Sequence, residues 1–351
     1  MVFATIRGEA IMKQTYSFDD ILLKPKFSDI KSRFSIVIGN DLDEVIHLEL
    51  PVISSPMDTI TEGDMALAMA GAGGLGVVHR YNTVQEQASI ISDALCKYGD
   101  MKIAAAVGVT DFKERAHALA SIGTQIICID VAHGHHTLME QCLKSLKDKF
   151  GDSIHLMAGN VATLEGFDAL ASWGADSIRV GIGGGSICST RMVTGHGIPT
   201  FQSILDCAKT NYDAKIIADG GIKTSGDMVK AYAAGADFVM VGSMLAGTTE
   251  TPGEVFFGKA GKKYKVYRGM ASAAAQNAWR GKTSTPEGVS TTVPFRGDVA
   301  SLLQDIAGGI RSGLSYSGAQ SLTELRSKAS FVLQTNSGRL ESSTHILWRH
   351  K

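Results

Sequence analysis

Residues 181–191 read GIGGGSICSTR and place one cysteine, Cys188, on a glycine-rich stretch directly after a strand-like run beginning at Ser177. Gly183, Gly184 and Gly185 lack the Cβ that keeps other residues out of positive φ, so the backbone here can approach a ligand closely. Successive N–H groups of such a loop can cradle an anion such as a phosphate. The sequence neighbours of Cys188 include two hydroxyls, Ser189 and Thr190, and the cation Arg191. A nearby cation favours the thiolate, the nucleophilic form of the side chain. The chemistry this suggests is covalent, with the cysteine bonding to a bound substrate. Free cysteines are also often buried and inert. Local sequence leaves both readings open.

A loop of this kind needs a rigid frame. From Leu50 onward, short runs rich in Val and Ile end in glycine or polar residues and alternate with helix-like stretches. The runs are 51–55, 74–79, 103–108, 125–130, 154–160, 177–183, 215–221 and 238–243. Helical patterns occupy 62–72, 84–97, 112–122, 137–150, 164–173, 201–209 and 225–234. An eighth helix is expected at 299–312, displaced by an insertion at about 250–298. Eight continuously apolar strands alternating with helices predict an α/β fold, the closed parallel (β/α)8 or TIM barrel. An open doubly wound sheet is the alternative. It would carry a glycine fingerprint after its first strand and an acid about 20 residues on, whereas this first strand runs into Ser54-Ser55-Pro56-Met57-Asp58.

The barrel frame also organises the polar residues. Asp58, His79 and Arg80, Asp130, Gly159 and Asn160, the Gly183–Cys188 loop, Asp219 to Gly221, and Gly242 with Ser243 all fall at or just past C-terminal strand ends. In a barrel those ends converge on the face that carries the active site. One aspartate after a strand is commonly a helix N-cap; a whole rim of such positions argues for a site. Gly220-Gly221 and Gly242-Ser243 follow the seventh and eighth strands, the usual place of a barrel phosphate site. His133, His135 and His136 have the chemistry of metal ligands but no partner Cys/His cluster, so contacts to a cofactor or to solvent are expected of them. The insertion is polar and rich in Gly, Ser and Thr apart from a hairpin-like stretch at 264–267. Its length suits a lid over the barrel mouth.

Composition narrows the class. With 351 residues, 44% of them hydrophobic, the chain can bury a large core, and a net charge of −1 offers no electrostatic footprint for nucleic acid or an acidic membrane surface. Five cysteines without CxxC spacing suggest reduced thiols, hence a cytoplasmic setting, rather than a disulfide framework. The apolar runs fall short of a membrane span. Residues 1–13 read as a disordered extension with Met12 as an alternative start, and 14–351 as one catalytic barrel domain.

Taken together, these motifs resemble the IMP dehydrogenase / GMP reductase family of purine-nucleotide barrels over roughly residues 14–345. The matching stretches are Phe18–Leu23 (FDDILL), Met57–Thr59, Gly73–Gly76, Ala158–Val161, Gly181–Arg191, Ala218–Gly221, Val241–Met244, Tyr267–Met270 and Gly308–Ser312. The resemblance implies that Cys188 attacks carbon 2 of the purine to form a thioimidate, with Thr190 and Glu287 as the proton-handling partners. Ser186, Gly220, Gly221, Gly242, Ser243 and Tyr267 would hold the 5′-phosphate and Asp219 the ribose hydroxyls. Gly269, Met270 and Ala271 would meet the base edge. Asp130, Ala132, His133, Asn160 and Arg179 would face the nicotinamide cofactor. The carbonyls of Gly183, Gly185 and Cys188 would hold a potassium ion, and a homotetramer is expected.

Two reactions share the thioimidate. Dehydrogenases oxidise IMP with NAD and hydrolyse the intermediate, using an Arg-Tyr pair on a long flap to activate water. Reductases use NADPH to convert GMP to IMP and ammonia, with an acid assisting the amine, and have a shorter flap. Between Ala271 and Pro286 Arg280 is the only arginine and there is no tyrosine. The CBS pair of regulatory domains that dehydrogenases usually insert near residues 82–102 is missing. Lys24–Lys26, Lys31–Arg33 and Val293–Val299 lean the same way, towards GMP reductase. His79-Arg80, the 130–135 stretch, 247–254 and 341–345 look dehydrogenase-like. Gly184 stands where proline is usual, Arg179 where reductases have lysine, and Ala271 where glycine or serine is common. The alternatives to a reductase are a minimal IMP dehydrogenase and a catalytically silent nucleotide-binding regulator.

Overall fold

The computed structural model describes residues 5, 6, 10–98, 101–258, 261–342 and 344. Its frame is a closed barrel of parallel strands: β1 (Val52–Ser54), β2 (Leu75–Val78), β3 (Ile103–Val107), β4 (Ile126–Asp130), β5 (His155–Val161), β6 (Ser177–Val180), β7 (Lys215–Asp219) and β8 (Phe238–Val241), with β8 hydrogen-bonded back to β1. The intervening helices are α1 (Gly63–Gly71), α2 (Val84–Tyr98), α3 (Phe112–Ser121), α4 (Thr137–Phe150), α5 (Leu164–Ser172), α6 (Thr200–Cys207) and α7 (Ser225–Ala234).

The strands are largely apolar because both faces are covered. Successive side chains point to opposite faces of a strand. Leu75 and Val77, Ala104 and Ala106, Ile126 and Cys128, and Phe238 and Met240 therefore fill the barrel interior with Ile53, Met157 and Ile217. Their neighbours Val78, Ala105, Val107, Ile127, Ile129 and Val239 pack outward against the helices. The interior is thus a packed core and the barrel has no pore. Its N-terminal end is plugged by a hairpin pairing Asn40–Asp41 with His47–Leu48, whose Leu42, Ile46 and Leu48 join the inner cluster.

The strand pattern in the sequence overshoots at β6, β7 and β8, where hydrogen bonding stops before the glycines that turn the chain. The eighth barrel helix, α9 (Val299–Tyr316), is one turn longer than its periodicity suggests. Between β8 and α9 the insertion folds into β9 (Phe256–Phe257), β10 (Lys263–Arg268) and β11 (Ser290–Pro294) as an antiparallel sheet, with α8 (Ala273–Arg280) between the last two. The buried ammonium of Lys265 anchors this sheet by donating to the carbonyls of Thr248 and Thr249, both at 3.2 Å, and Thr251. Of the N-terminal segment, Thr5–Ile6 pairs antiparallel with Ala10–Ile11, and residues 1–4 and 7–9 lie outside the described residues, as do 343 and 345 of the 341–345 motif.

Candidate active site

A cavity of about 290 Å³ opens at the C-terminal ends of the strands. Its wall includes Cys188, Thr190 and Glu287, the glycines of the 181–185 loop, Asp130, Asn160, Arg179 and Asp219, and the flap residues Tyr267, Gly269, Met270 and Ala271.

The loop bearing Cys188 leaves β6 through Gly181, whose φ of +146° is hostile to a side chain and whose added Cβ would lie 2.0 Å from the Asp219 carbonyl. At Gly184 a Cβ would come within 2.5 Å of Thr200 Oγ1, so a threonine hydroxyl occupies the space that another residue at 184 would need. The loop is then stitched to the flap. Ser189 N–H donates to the Glu287 carbonyl at 2.9 Å and Val289 N–H to the Ile187 carbonyl at 3.0 Å, which pairs Cys188 with Gly288. Glu287 N–H donates in turn to the Ala271 carbonyl at 3.0 Å. Cys188, Glu287 and the 270–271 edge are therefore neighbours in one wall. The Cys188 thiol donates to Thr190 Oγ1 at 3.1 Å.

Arg191 behaves differently from expectation. Its guanidinium donates to the Ile198 carbonyl at 2.7 Å, and its stem packs over Gly183 and Gly197. It braces the loop, and the hydrogen bond made by the thiol is with Thr190.

Gly220 and Gly221 both have positive φ, at +89° and +79°, which turns the chain sharply after β7. Ser186 Oγ lies 3.4 Å from the Tyr267 hydroxyl, with Gly242 and Ser243 in the same wall. Burial pushes the Tyr267 phenol up, against its hydrogen bonds with Ser186 and Ser243. It is a neutral donor at ordinary pH.

On the opposite side Arg179 Nη1 donates to Asp130 Oδ1 at 2.7 Å, while its Nη2 and Nε donate to Asp219 Oδ2 at 3.0 and 3.2 Å. Asn160 Nδ2 donates to the same Asp219 oxygen at 2.8 Å and to the Gly181 carbonyl at 2.9 Å. Burial pushes the Asp130 carboxyl up, but the Arg179 and Arg80 guanidiniums outweigh it and hold it below the usual carboxylate range. Burial depresses Arg179, yet its neighbours Cys128, Asp219 and Asp130 raise it well above its ordinary value. This group stays charged. Below it, burial pushes the Cys128 thiol up to about 11, so the second cysteine of this region is inert.

Every residue to which the family resemblance assigns a role lines the cavity except His133; of the other residues singled out from the sequence, Asp58, His79, Gly159, His135, His136 and Arg191 also stand outside the lining. His133 forms a ring contact with His135, 6.5 Å between centroids. Partial burial and the neighbouring imidazoles of His135, His136 and His196 lower its pKa. Among the described residues no group of three or more His, Cys, Asp or Glu side chains is placed to hold a metal.

Sequence reasoning left Tyr81 out of the site, although it follows β2 as Asp130 ends β4. The Arg80 guanidinium stacks 4.9 Å from the Tyr81 ring centroid, and both line the cavity. Burial, with Asp130 nearby, pushes the Tyr81 hydroxyl up to about 12. It also missed the flap latch. The Asp58 carboxylate accepts from Arg268 Nε at 3.0 Å and from Trp279 Nε1 at 3.0 Å, pinning β10 and α8 to the loop after β1. Trp279 then sits against His79 and Tyr81, with ring centroids 6.1 and 6.3 Å away. No periodicity in a Gly/Ser/Thr-rich insertion signals such a contact.

The family model described as "IMP dehydrogenase / GMP reductase domain" matches residues 15–345. An inosine-5′-monophosphate dehydrogenase of Nitrosopumilus maritimus is 34% identical, over 95% of this chain and 98% of that protein. A GMP reductase of Leishmania major is 30% identical, over 94% of this chain and 96% of its own. A crystal structure of GMP reductase from Trypanosoma brucei in complex with guanosine 5′-monophosphate superposes with a TM-score of 0.88 at 29% identity, covering 95% of this chain and 98% of that one.

Proposed function

The chain belongs to the IMP dehydrogenase / GMP reductase family of oxidoreductases, and from that premise we propose that it is a GMP reductase, turning GMP, NADPH and protons into IMP, NADP+ and ammonium. The observation that carries this reading is the main-chain stitching of Glu287 to the Cys188 loop, with Ser189 N–H on the Glu287 carbonyl at 2.9 Å. It keeps the main chain of Glu287 next to the Cys188 loop in the wall of the same cavity, and a departing amine there needs a proton that a carboxylic residue can give.

In this reading the 5′-phosphate lies on the N–H groups around Gly220, Gly221 and Ser243 and on the hydroxyls of Ser186 and Tyr267. The Asp219 carboxylate takes the ribose and the main chain of Met270 and Ala271 the base. Cys188 Sγ bonds to carbon 2, its proton passing through the Thr190 hydroxyl to the Glu287 carboxylate. Glu287, through the Thr190 hydroxyl, protonates the 2-amino group, which leaves as ammonia and completes a thioimidate. A bound NADPH would supply the hydride that carbon 2 takes up, after which Cys188 leaves as the thiolate. Asp130, Ala132, Asn160 and Arg179 frame the side of the cavity that suits the cofactor. Neutral carbonyls of Gly183, Gly185 and Cys188 are the donor type that potassium prefers, and the Gly185 oxygen, already accepting the Cys188 N–H at 3.1 Å, keeps a second lone pair. A potassium ion there would stiffen the nucleophile's loop. A homotetramer is the assembly we expect.

One observation favours the dehydrogenase reading with NAD. Arg80 and Tyr81 bring a guanidinium and a phenol together at the cavity wall, the pairing that the stretch from Ala271 to Pro286 lacks. The two readings separate in the half-reactions of Glu287→Gln. Proton relays contribute typically about 10²–10⁴-fold, so ammonia release from GMP should slow by about that factor. Hydride exchange between IMP and cofactor, where no amine leaves, should slow far less. Equal slowing of both steps, or a parent that releases no ammonia, would refute the reductase.

A further inference from the structure

We propose that Arg179 is a positioning residue that couples the two halves of the cavity, one guanidinium holding the carboxylate of Asp219 and the other carboxylate, Asp130, across it. The proposal rests on the reading above only in taking a nucleotide and a dinucleotide to share this cavity.

Arg179 is 6% exposed. A guanidinium presents five N–H donors in a rigid plane, and here its two edges serve different acids: Nη1 reaches Asp130 Oδ1 at 2.7 Å, Nη2 and Nε reach Asp219 Oδ2 at 3.0 and 3.2 Å. Asn160 adds a third donor to that Asp219 oxygen, at 2.8 Å. A sugar hydroxyl must therefore address Asp219 through the carboxylate's other oxygen, while Arg179 competes for the shared charge. Asp130 is approached from its far side by Arg80, Nε to Oδ2 at 3.5 Å. One buried atom of this row, Asn160 Oδ1, has no hydrogen-bond partner among the described residues, and Arg80 Nε has only its long contact with Asp130. Buried polar atoms left so are rare in folded proteins and are satisfied by ligand or water. The row Arg80–Asp130–Arg179–Asp219 thus runs from one side of the cavity to the other. Neutralising Asp130 releases Arg179 to Asp219 alone, where it draws the carboxylate away from the sugar.

The test is calorimetric titration of GMP and of IMP into the cofactor-free protein, for the parent, Asp130→Asn, Arg179→Lys and the double variant. Residues within one charge network couple measurably, so Asp130→Asn should weaken both nucleotides by about fivefold. A lysine ammonium is a point charge that cannot span both acids; in the Arg179→Lys background the same substitution should change affinity by less than about twofold. An unchanged affinity for Asp130→Asn in the parent, or an equal effect in both backgrounds, would overturn the proposal. Should Arg179→Lys fail to fold by circular dichroism, the reciprocal titration decides. Coupling free energies are mutual, so Asp219→Asn must alter NADPH binding to the nucleotide-free protein, and unaltered binding overturns the coupling. These are equilibrium measurements on both nucleotides. A protein found to oxidise IMP would sink the reductase reading and leave the coupling result standing.

Discussion

Two buried polar rows, one at each end of the barrel, are held in opposite ways. At the plugged end His155 is satisfied on both nitrogens, Nδ1 against Asp43 Oδ2 and Nε2 against Ser177 Oγ, each at 2.8 Å. Asp43 also accepts the N–H groups of Val45 and Ile46 at 2.8 Å. This Asp-His-Ser row has a triad's connectivity, but Ser177 is fully buried, so no substrate reaches it. At the mouth, Asn160 Oδ1 has no hydrogen-bond partner among the described residues, Arg80 Nε has only a long 3.5 Å ion pair with Asp130, and Cys188 is exposed. A polar row with every valence filled ties the fold together. One with valences left over is prepared for a ligand. The lesson is that connectivity alone does not mark a catalytic site; access and unfilled hydrogen-bonding capacity do.

The comparison breaks most sharply at Cys188. Cys188→Ala should lower turnover by at least about 10³-fold, as loss of a covalent nucleophile does, while thermal melting and nucleotide affinity stay near those of the parent. Retained steady-state activity would rule out the covalent route.

The plugged end predicts the converse. Asp43→Ala strips an acceptor from His155 and two backbone N–H groups, which should cost about 1–3 kcal/mol of stability in urea melts while activity per folded molecule is unchanged. The pH dependence follows in sign. Burial raises the Asp43 carboxyl, but its hydrogen bonds with His155 and the 45–46 backbone outweigh this and bring it to about 2. A depressed carboxylate stabilises the fold above its unfolded pKa and loses that contribution as pH falls through the folded value. Parent stability should therefore drop between roughly pH 4 and 2, and Asp43→Asn should flatten that limb. An unchanged acid limb in Asp43→Asn would remove Asp43 as its source.

The smallest effect is expected at the latch. Trp279→Phe deletes the hydrogen bond to Asp58 and leaves the ring contacts, a loss of about 1 kcal/mol. The flap should become several-fold more sensitive to limited proteolysis and KM should rise, with kcat moving less. Unchanged protease sensitivity would mean that Asp58 holds the flap through Arg268 alone.

Much of this was legible in the sequence, for physical reasons. Continuous apolar runs such as Ile103–Val107 and Ile126–Ile129 announce strands covered on both faces, and the residues at and just past their ends share one rim by barrel geometry. That logic found Asp130, Asn160, Asp219 and the Cys188 loop. The orientation of long side chains carries no such periodicity. Arg191 neighbours Cys188 in sequence yet turns to Ile198, and Arg179 belongs to a strand whose apolar run masks its role between two acids. Helix α8 and its Trp279 contact depend on tertiary packing against Asp58, Tyr81 and His79, which a polar insertion does not encode locally.

The central claim concerns the direction of chemistry at Cys188, and absorbance at 340 nm of the purified protein tests it most directly. The account predicts loss of NADPH absorbance with GMP over many turnovers, with ammonia released in equal amount. Gain of NADH absorbance with IMP and NAD at a faster sustained rate, with no consumption of NADPH by GMP, would contradict it.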